Sequence, residues 1–169
     1  MINHRRRILE FGSGISTVFL AAMVAQMGGL IISVDHQAAW QAQVREWLSV
    51  RSREAIRFVC APLQTDSGEG WYDRSLVDRA LEDFGPVDLV LFDGPPAHEE
   101  CRKYSRRPGL PAVRKHIGAT ATVALDDIGR EGERQIALEW SQLLGTPCLN
   151  LSVKAGLALW HLGPSWNPV

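Results

Sequence analysis

The chain has 169 residues, 46% of them hydrophobic and 22% charged, which is enough apolar mass for one soluble domain spanning residues 1–169. Its formal net charge of −1 argues against capture of a polyanion, so no nucleic-acid partner is expected. The three cysteines, Cys60, Cys101 and Cys148, show neither disulfide nor zinc spacing, and no apolar run reaches membrane-spanning length. The run His4-Arg5-Arg6-Arg7 has no signal-peptide core behind it and reads as a solvated chain start, so a reduced, cytoplasmic protein without a membrane partner is expected.

In chain order, residues 8–11 are apolar and stop at Gly12-Ser13-Gly14, the mark of a buried strand. Residues 16–27 carry Val18, Phe19, Ala22, Met23 and Met27 at helical spacing. A second buried strand, 30–34, stops at Asp35, and 37–50 reads as one helix with Trp40, Val44, Trp47 and Leu48 on a common face. Residues 56–60 form a third strand closed by Ala61-Pro62. A polar loop over 64–70 and a helix over 72–84 follow, the helix stopping at Gly85-Pro86. The strand 87–92 ends in Asp93-Gly94-Pro95-Pro96, where two prolines forbid regular continuation. Residues 97–107 are polar and read as irregular or mobile. A short helix near 111–117 then precedes a strand over 121–125, ended by Asp126-Asp127, and an amphipathic helix over 131–144. Residues 148–153 and 157–162 flank Lys154-Ala155-Gly156 as a β-hairpin.

Repeated strand–helix units followed by a hairpin imply an α/β fold: an open, mostly parallel sheet with helices on both faces. Ligands of such sheets bind beyond the carboxyl ends of the strands, which directs attention to residues 12–17, 35–36, 61–62, 93–94 and 126–127. Glycines at the first strand end let the backbone turn sharply and approach a ligand, with the N-terminus of a helix behind them. Two readings of this turn stand: a cofactor cradle, or a bare strand-to-helix turn capped by Ser16 or Thr17. A dinucleotide-binding fingerprint wants a small residue where Thr17 sits. Asp35 suits a ribose, because its two oxygens can accept from two vicinal hydroxyls; it can also cap the helix that follows.

Ile8-Leu9-Glu10-Phe11-Gly12-Ser13-Gly14 with Ser16-Thr17, and then Ile32-Ser33-Val34-Asp35-His36, resembles the class I S-adenosylmethionine-dependent methyltransferases. Asp93-Gly94-Pro95-Pro96, with Arg107-Pro108-Gly109-Leu110-Pro111 further on, resembles a subset of them that carries an Asp-Gly-Pro-Pro turn after the fourth strand. Val123-Ala124-Leu125-Asp126-Asp127 and Arg130 extend the likeness, which covers about residues 8–162. The resemblance implies a Rossmann-like three-layer α/β/α sandwich with a seven-stranded, mostly parallel sheet of order 3-2-1-4-5-7-6, closed by a C-terminal β-hairpin. It also implies S-adenosylmethionine as cofactor. Glu10, Gly12, Ser13 and Gly14 would hold its methionine end, with Ser16 and Thr17 in the same turn. Asp35 would take the ribose, His36 and Ala61 the adenine side, and Asp93 the methionine amine or the acceptor.

For catalysis the expectations are Asp93, Asp127 and His98, the last as a base by position or else a surface histidine. Asp93, Asp126 and Asp127 match in part the Mg²⁺ ligands of catechol-type O-methyltransferases; the opposing reading has Asp127 capping a helix. Arg102, Lys103, Arg106 and Arg107 would receive an acidic substrate or simply be solvated. None of the six tryptophans is assigned to a ligand. The chain starts only a few residues before its first strand. The covering role of the helices that precede this fold in relatives is therefore expected from residues 97–107 or from a partner subunit, such as a homodimer mate, unless the site is open.

Three functions follow. The first is methyl transfer to oxygen of a small-molecule or saccharide acceptor. The second is a noncatalytic S-adenosylmethionine-binding module. The third is an NAD(P)-dependent oxidoreductase, disfavoured by Thr17 and by the lack of a Tyr-X-X-X-Lys pair.

Overall fold

The computed structural model describes residues 6–64, 70–151 and 155–163. His4 and Arg5 of the basic run, most of the expected 64–70 loop, Lys154 of the hairpin and Trp166 lie outside them.

The strands are β1 (Arg7–Phe11), β2 (Leu30–Asp35), β3 (Ile56–Cys60), β4 (Leu63–Gln64), β5 (Trp71–Tyr72), β6 (Val87–Phe92), β7 (Ile117–Asp126), β8 (Leu149–Leu151) and β9 (Leu157–His161). The helices are α1 (Ile15–Met27), α2 (Ala38–Glu46), α3 (Val50–Glu54), α4 (Arg74–Leu81), α5 (Gly109–Val113) and α6 (Glu131–Leu144). The large sheet runs β3-β2-β1-β6-β7-β9-β8, parallel except where β9 joins β7 and β8. This is the expected order: the two-residue strands β4 and β5, which form a separate antiparallel ribbon, only shift the numbering.

Alternation along buried strands divides the core between the two faces. Ile8, Ile31 and Leu89 point toward α1, packing with Leu20, Ala21, Val24 and Leu48. Leu9, Phe11, Ile32, Val90, Phe92, Val123 and Leu125 point the other way, into the larger cluster beneath α4, α5 and α6. That side is organised by an aromatic row in which Phe11 stacks on Phe92 (5.2 Å), Phe92 meets Trp140 (4.6 Å) and Trp140 meets Trp160 (5.9 Å).

Three local expectations change. The single helix over 37–50 is two helices, because the Ser49 hydroxyl accepts from Ser52 N (3.1 Å) and starts a new turn; breaking there lets Leu48 and Ala55 reach the core. The helix over 72–84 starts later, at Arg74, because Asp73 caps it through Ser75 N (2.9 Å) and Leu76 N (3.2 Å). Tyr72 is thereby left in β5, buried beside Phe11. β7 begins before 121, at Ile117. Residues 98–102 are exposed, and tight turns such as Ser105 N to Arg102 O (2.9 Å) and Gly109 N to Arg106 O (3.0 Å) then carry Ser105 and Arg106 into the interior.

The parallel ladder continues past the strand ends. Gly12 N donates to Val34 O (2.8 Å) and Asp93 N to Phe11 O (2.8 Å), so the turn after β1 lies directly against the turn after β6. Gly12 has φ +92°, and a Cβ there would stand 2.8 Å from the Asp93 carbonyl carbon and the Gly94 nitrogen. The contact is backbone on both sides and cannot yield by a rotamer change. Gly12→Ala is therefore expected to destabilise the protein by about 3 kcal/mol, as a lowered midpoint in urea unfolding, from combined backbone strain and overpacking.

Candidate functional site

Behind the β1 turn lies a buried carboxylate. Glu10 is 0% exposed; its Oε1 accepts from Ser16 Oγ (2.6 Å), and its Oε2 accepts from Thr17 Oγ1 and Ser33 Oγ (2.6 Å each). Burial pushes this carboxyl up to about 7 against the pull of those three hydroxyls. Thr17 Oγ1 also accepts from Gly14 N (2.8 Å), and Ser13 Oγ lies 2.8 Å from Ser33 Oγ, so one cluster orders the turn, the first turn of α1 and the middle of β2.

In front of that cluster is an open cleft of about 270 Å³, lined by Gly12, Ser13, Asp35, His36, Gln37, Trp40, Tyr72, Asp93, Gly94 and Pro96. Asp35 accepts from Ser13 N (3.0 Å) through Oδ2 and from Gln37 N (2.9 Å) through Oδ1, which leaves lone pairs on both oxygens facing the cleft. Its cap-like bond and its availability to a ligand thus coexist. Trp40 Nε1 donates to Ser13 O (2.6 Å), and Gln41 Nε2 donates to Ser13 Oγ (3.2 Å), Ser33 O (3.1 Å) and Val59 O (3.2 Å), tying α2 to the turn and to the strand ends. The Tyr72 hydroxyl is buried at the cleft wall, where a Cβ on Gly94 would strike it, and has no hydrogen-bond partner among the described residues. Burial raises its pKa well above the ordinary value, so it is a neutral donor.

The structure brings Gly12, Ser13, Asp35, His36 and Asp93 of the expected cofactor set to one cleft. Glu10, Ser16 and Thr17 stand behind it, with their polar groups spent on one another. Gly14 and Ala61 are not on its lining. Ala61 is fully buried, with its N–H on Asp35 O (2.8 Å). His98 is exposed and is not on the lining. Trp40, contrary to expectation, faces the ligand space, and Tyr72, Gln37 and Pro96 were not foreseen. Asp73 before Ser75 was the available signal for Tyr72, since a cap there takes Tyr72 out of the helix.

Asp93, whose side chain is 38% exposed, is the carboxylate at the far edge of the cleft. Burial raises it to about 6, opposed chiefly by Arg106. Among the described residues no group of three or more acids, histidines or cysteines is gathered as a metal ion's ligands. Arg106 stands between two of the expected aspartates, with Nη2 3.1 Å from Asp127 Oδ2 and 3.8 Å from Asp93 Oδ1. Arg130 also pairs with Asp127 (2.9 Å), and Asp126 Oδ1 accepts from Asp127 N (2.8 Å). In the preceding segment Arg102 pairs with Glu99, Lys103 with Glu100 and Arg107 with Glu139.

A methyltransferase-domain family model matches residues 9–128. The chain therefore belongs to the methyltransferase-domain family and is an S-adenosylmethionine-dependent methyltransferase. The same fold is found in an O-methyltransferase from Bacillus cereus in complex with SAH (17% identity, TM-score 0.68, 96% of this chain and 76% of that one). It is found too in a methyltransferase from Geobacter sulfurreducens (13% identity, TM-score 0.63, 95% and 73%) and in an RNA methyltransferase from Salinibacter ruber in complex with S-adenosylhomocysteine (14% identity, TM-score 0.54, 96% and 84%). No curated protein matches the sequence. The cleft fits the cofactor: two carboxylates meet its net positive charge, and an orphaned hydroxyl awaits an acceptor. No helix among the described residues is long and apolar enough to cross a membrane.

Two outcomes are expected. Glu10 binds its proton more tightly folded than unfolded, so it disfavours the fold as pH rises from about 4.5 to 7. Thermal unfolding of Glu10→Gln against the parent should show the variant gaining relative stability across that window, by about 3 kcal/mol in total. Tyr72→Phe should weaken S-adenosylhomocysteine binding in calorimetry by about five- to tenfold, one hydrogen bond's contribution, without lowering the melting temperature.

Proposed function

We propose that this methyltransferase methylates a hydroxyl oxygen of a small-molecule or saccharide acceptor, with Asp93 taking the hydroxyl proton. S-adenosylmethionine, when bound, supplies an electrophilic methyl group on a sulfonium. Asp35 accepts from the ribose hydroxyls, His36 and Trp40 flank the adenine end, and Gly12 and Tyr72 receive the methionine end. The observation that carries the reading is the placement of Asp93: a half-exposed carboxylate at the cleft edge, raised to about 6, a value suited to a base near neutral pH. Asp93 takes the proton of the acceptor hydroxyl, and the cofactor, when bound, would supply the methyl group and leave as a neutral thioether. Holding both partners in line supplies much of the rate.

Two carboxylates in the cleft and a chain of net charge −1 favour an uncharged acceptor over a nucleic acid. Three free cysteines suit a reducing, cytoplasmic setting, and one domain over residues 1–169 remains the reading of its organisation.

The test pairs binding with turnover. Calorimetry should show S-adenosylmethionine and S-adenosylhomocysteine binding in preference to NAD, and Asp35→Ala should weaken both. Release of S-adenosylhomocysteine is then followed over a panel of hydroxylated compounds. The rate should rise with pH through about 6 and level off, since only ionised Asp93 accepts a proton. Asp93→Asn should lose about 10²- to 10⁴-fold in rate while still binding S-adenosylhomocysteine. Preferential NAD binding, or undiminished turnover in the Asp93→Asn variant, would overturn the reading.

A further inference from the structure

Two motifs single themselves out in the sequence without an evident reason to occur together: the Asp93-Gly94-Pro95-Pro96 turn, and the segment Arg107-Pro108-Gly109-Leu110-Pro111, which Arg106 directly precedes. In the structure they meet through one side chain. Arg106 is 2% exposed. Its Nε donates to Pro95 O (3.2 Å), Nη1 to Asp126 O (3.1 Å), and Nη2 to both Asp93 O (2.8 Å) and Asp127 Oδ2 (3.1 Å). The guanidinium therefore bridges the end of β6 to the end of β7, with three backbone carbonyls and a carboxylate as its acceptors.

Three acids surround it: Asp127 at 3.1 Å, Glu133 at 3.7 Å and Asp93 at 3.8 Å. Glu133 is fully buried and neither of its carboxylate oxygens has a hydrogen bond among the described residues, so its neighbouring positive charge comes from Arg106 and from Arg130 at 3.8 Å. A buried cation is tolerated only when paired and hydrogen-bonded, and buried acids only when a cation faces them. Carboxylates and carbonyls gathered around one positive centre at the ends of two adjacent strands form the kind of donor set a hard divalent ion takes. Here a side chain of the same fold fills it.

We propose that Arg106 is a built-in cation at this centre, which orients Asp93 in place of a divalent metal ion, so that methyl transfer by this chain needs no metal. The proposal rests on the methyl-transfer reading of the cleft, with Asp93 as its base. Arg106 touches neither cofactor nor acceptor; it is a positioning residue, acting through the Asp93 carbonyl and carboxylate. A fixed guanidinium also leaves no open coordination positions. The acceptor is therefore gripped by proton transfer to Asp93 rather than by chelation, and an isolated hydroxyl is as good a substrate as a vicinal pair.

The test uses the full chain. Mg²⁺, Mn²⁺ and Ca²⁺ are titrated into the wild type by calorimetry and thermal shift, with and without S-adenosylhomocysteine, and methyl release is compared with and without chelator. Expected are no saturable metal heat, no shift of the melting temperature and equal turnover with chelator. Saturable Mg²⁺ binding in the millimolar range, or turnover abolished by chelator, overturns the proposal. Arg106→Ala exposes the acids to one another. It should melt lower, recover with millimolar guanidinium ion, and bind Mn²⁺ at least about tenfold more tightly than the wild type. A folded Arg106→Ala variant that gains neither guanidinium rescue nor Mn²⁺ binding overturns it. Arg106→Lys keeps the charge and loses the fork, so it should fold, stay indifferent to metal and shift the rise of the pH–rate profile; a metal requirement in that variant overturns the proposal. S-adenosylhomocysteine binding, measured in the same wild-type samples, separates the two readings: its loss counts against the methyl-transfer site and leaves the metal arms intact.

Discussion

Glu10, the residue before the last of β1, is buried away from solvent, and this burial governs the geometry of the whole cleft. A carboxylate in that position must be met by donors, and three hydroxyls from two different elements meet it. Ser16 and Thr17 set the first turn of α1, and Ser33 sets β2 beside it. Ser13, drawn against Ser33, presents its backbone N–H to Asp35. The turn that faces the ligand is thus shaped from behind by a polar cluster that the ligand does not touch.

The other half of the cleft is built on the same principle with the sign reversed. Arg106 is the buried charge, and the carbonyls of Asp93, Pro95 and Asp126 with the Asp127 carboxylate are its partners. One buried carboxyl group anchors the side where the cofactor's ribose and adenine are assigned, and one buried cation anchors the side where the acceptor is assigned. Gly12, pressed backbone-to-backbone on Asp93 and Gly94, joins them. Beneath both, the stacked rings of Phe11 and Phe92 keep the two strand ends level.

Much of this was legible from local pattern. Continuous apolar runs ending at Gly12, Asp35, Asp93 and Asp126 marked the parallel strands, and the same runs located the ligand end of the sheet. The roles of Glu10 and Arg106 were not legible. A carboxylate two residues before a glycine reads alike whether it faces a ligand or three hydroxyls. An arginine in a polar stretch reads as solvated until the chain folds it inward. Tyr72 was hidden for a simpler reason: it lies at the edge of a helical pattern, and the cap at Asp73 takes it out of the helix. Trp40 is held at the cleft by a bond from its Nε1 to Ser13 O, a partner distant in the chain.

The amino-acid sequence by itself determined the α/β class, the strand ends and the glycine turn, because periodicity, breakers and caps act over a few residues. Tertiary structure alone decided which acids face the cleft and which are consumed. Desolvation and charge pairing depend on neighbours far apart in the chain. Asp93, Arg106, Asp127 and Glu133 become one electrostatic unit only when β6 and β7 lie side by side.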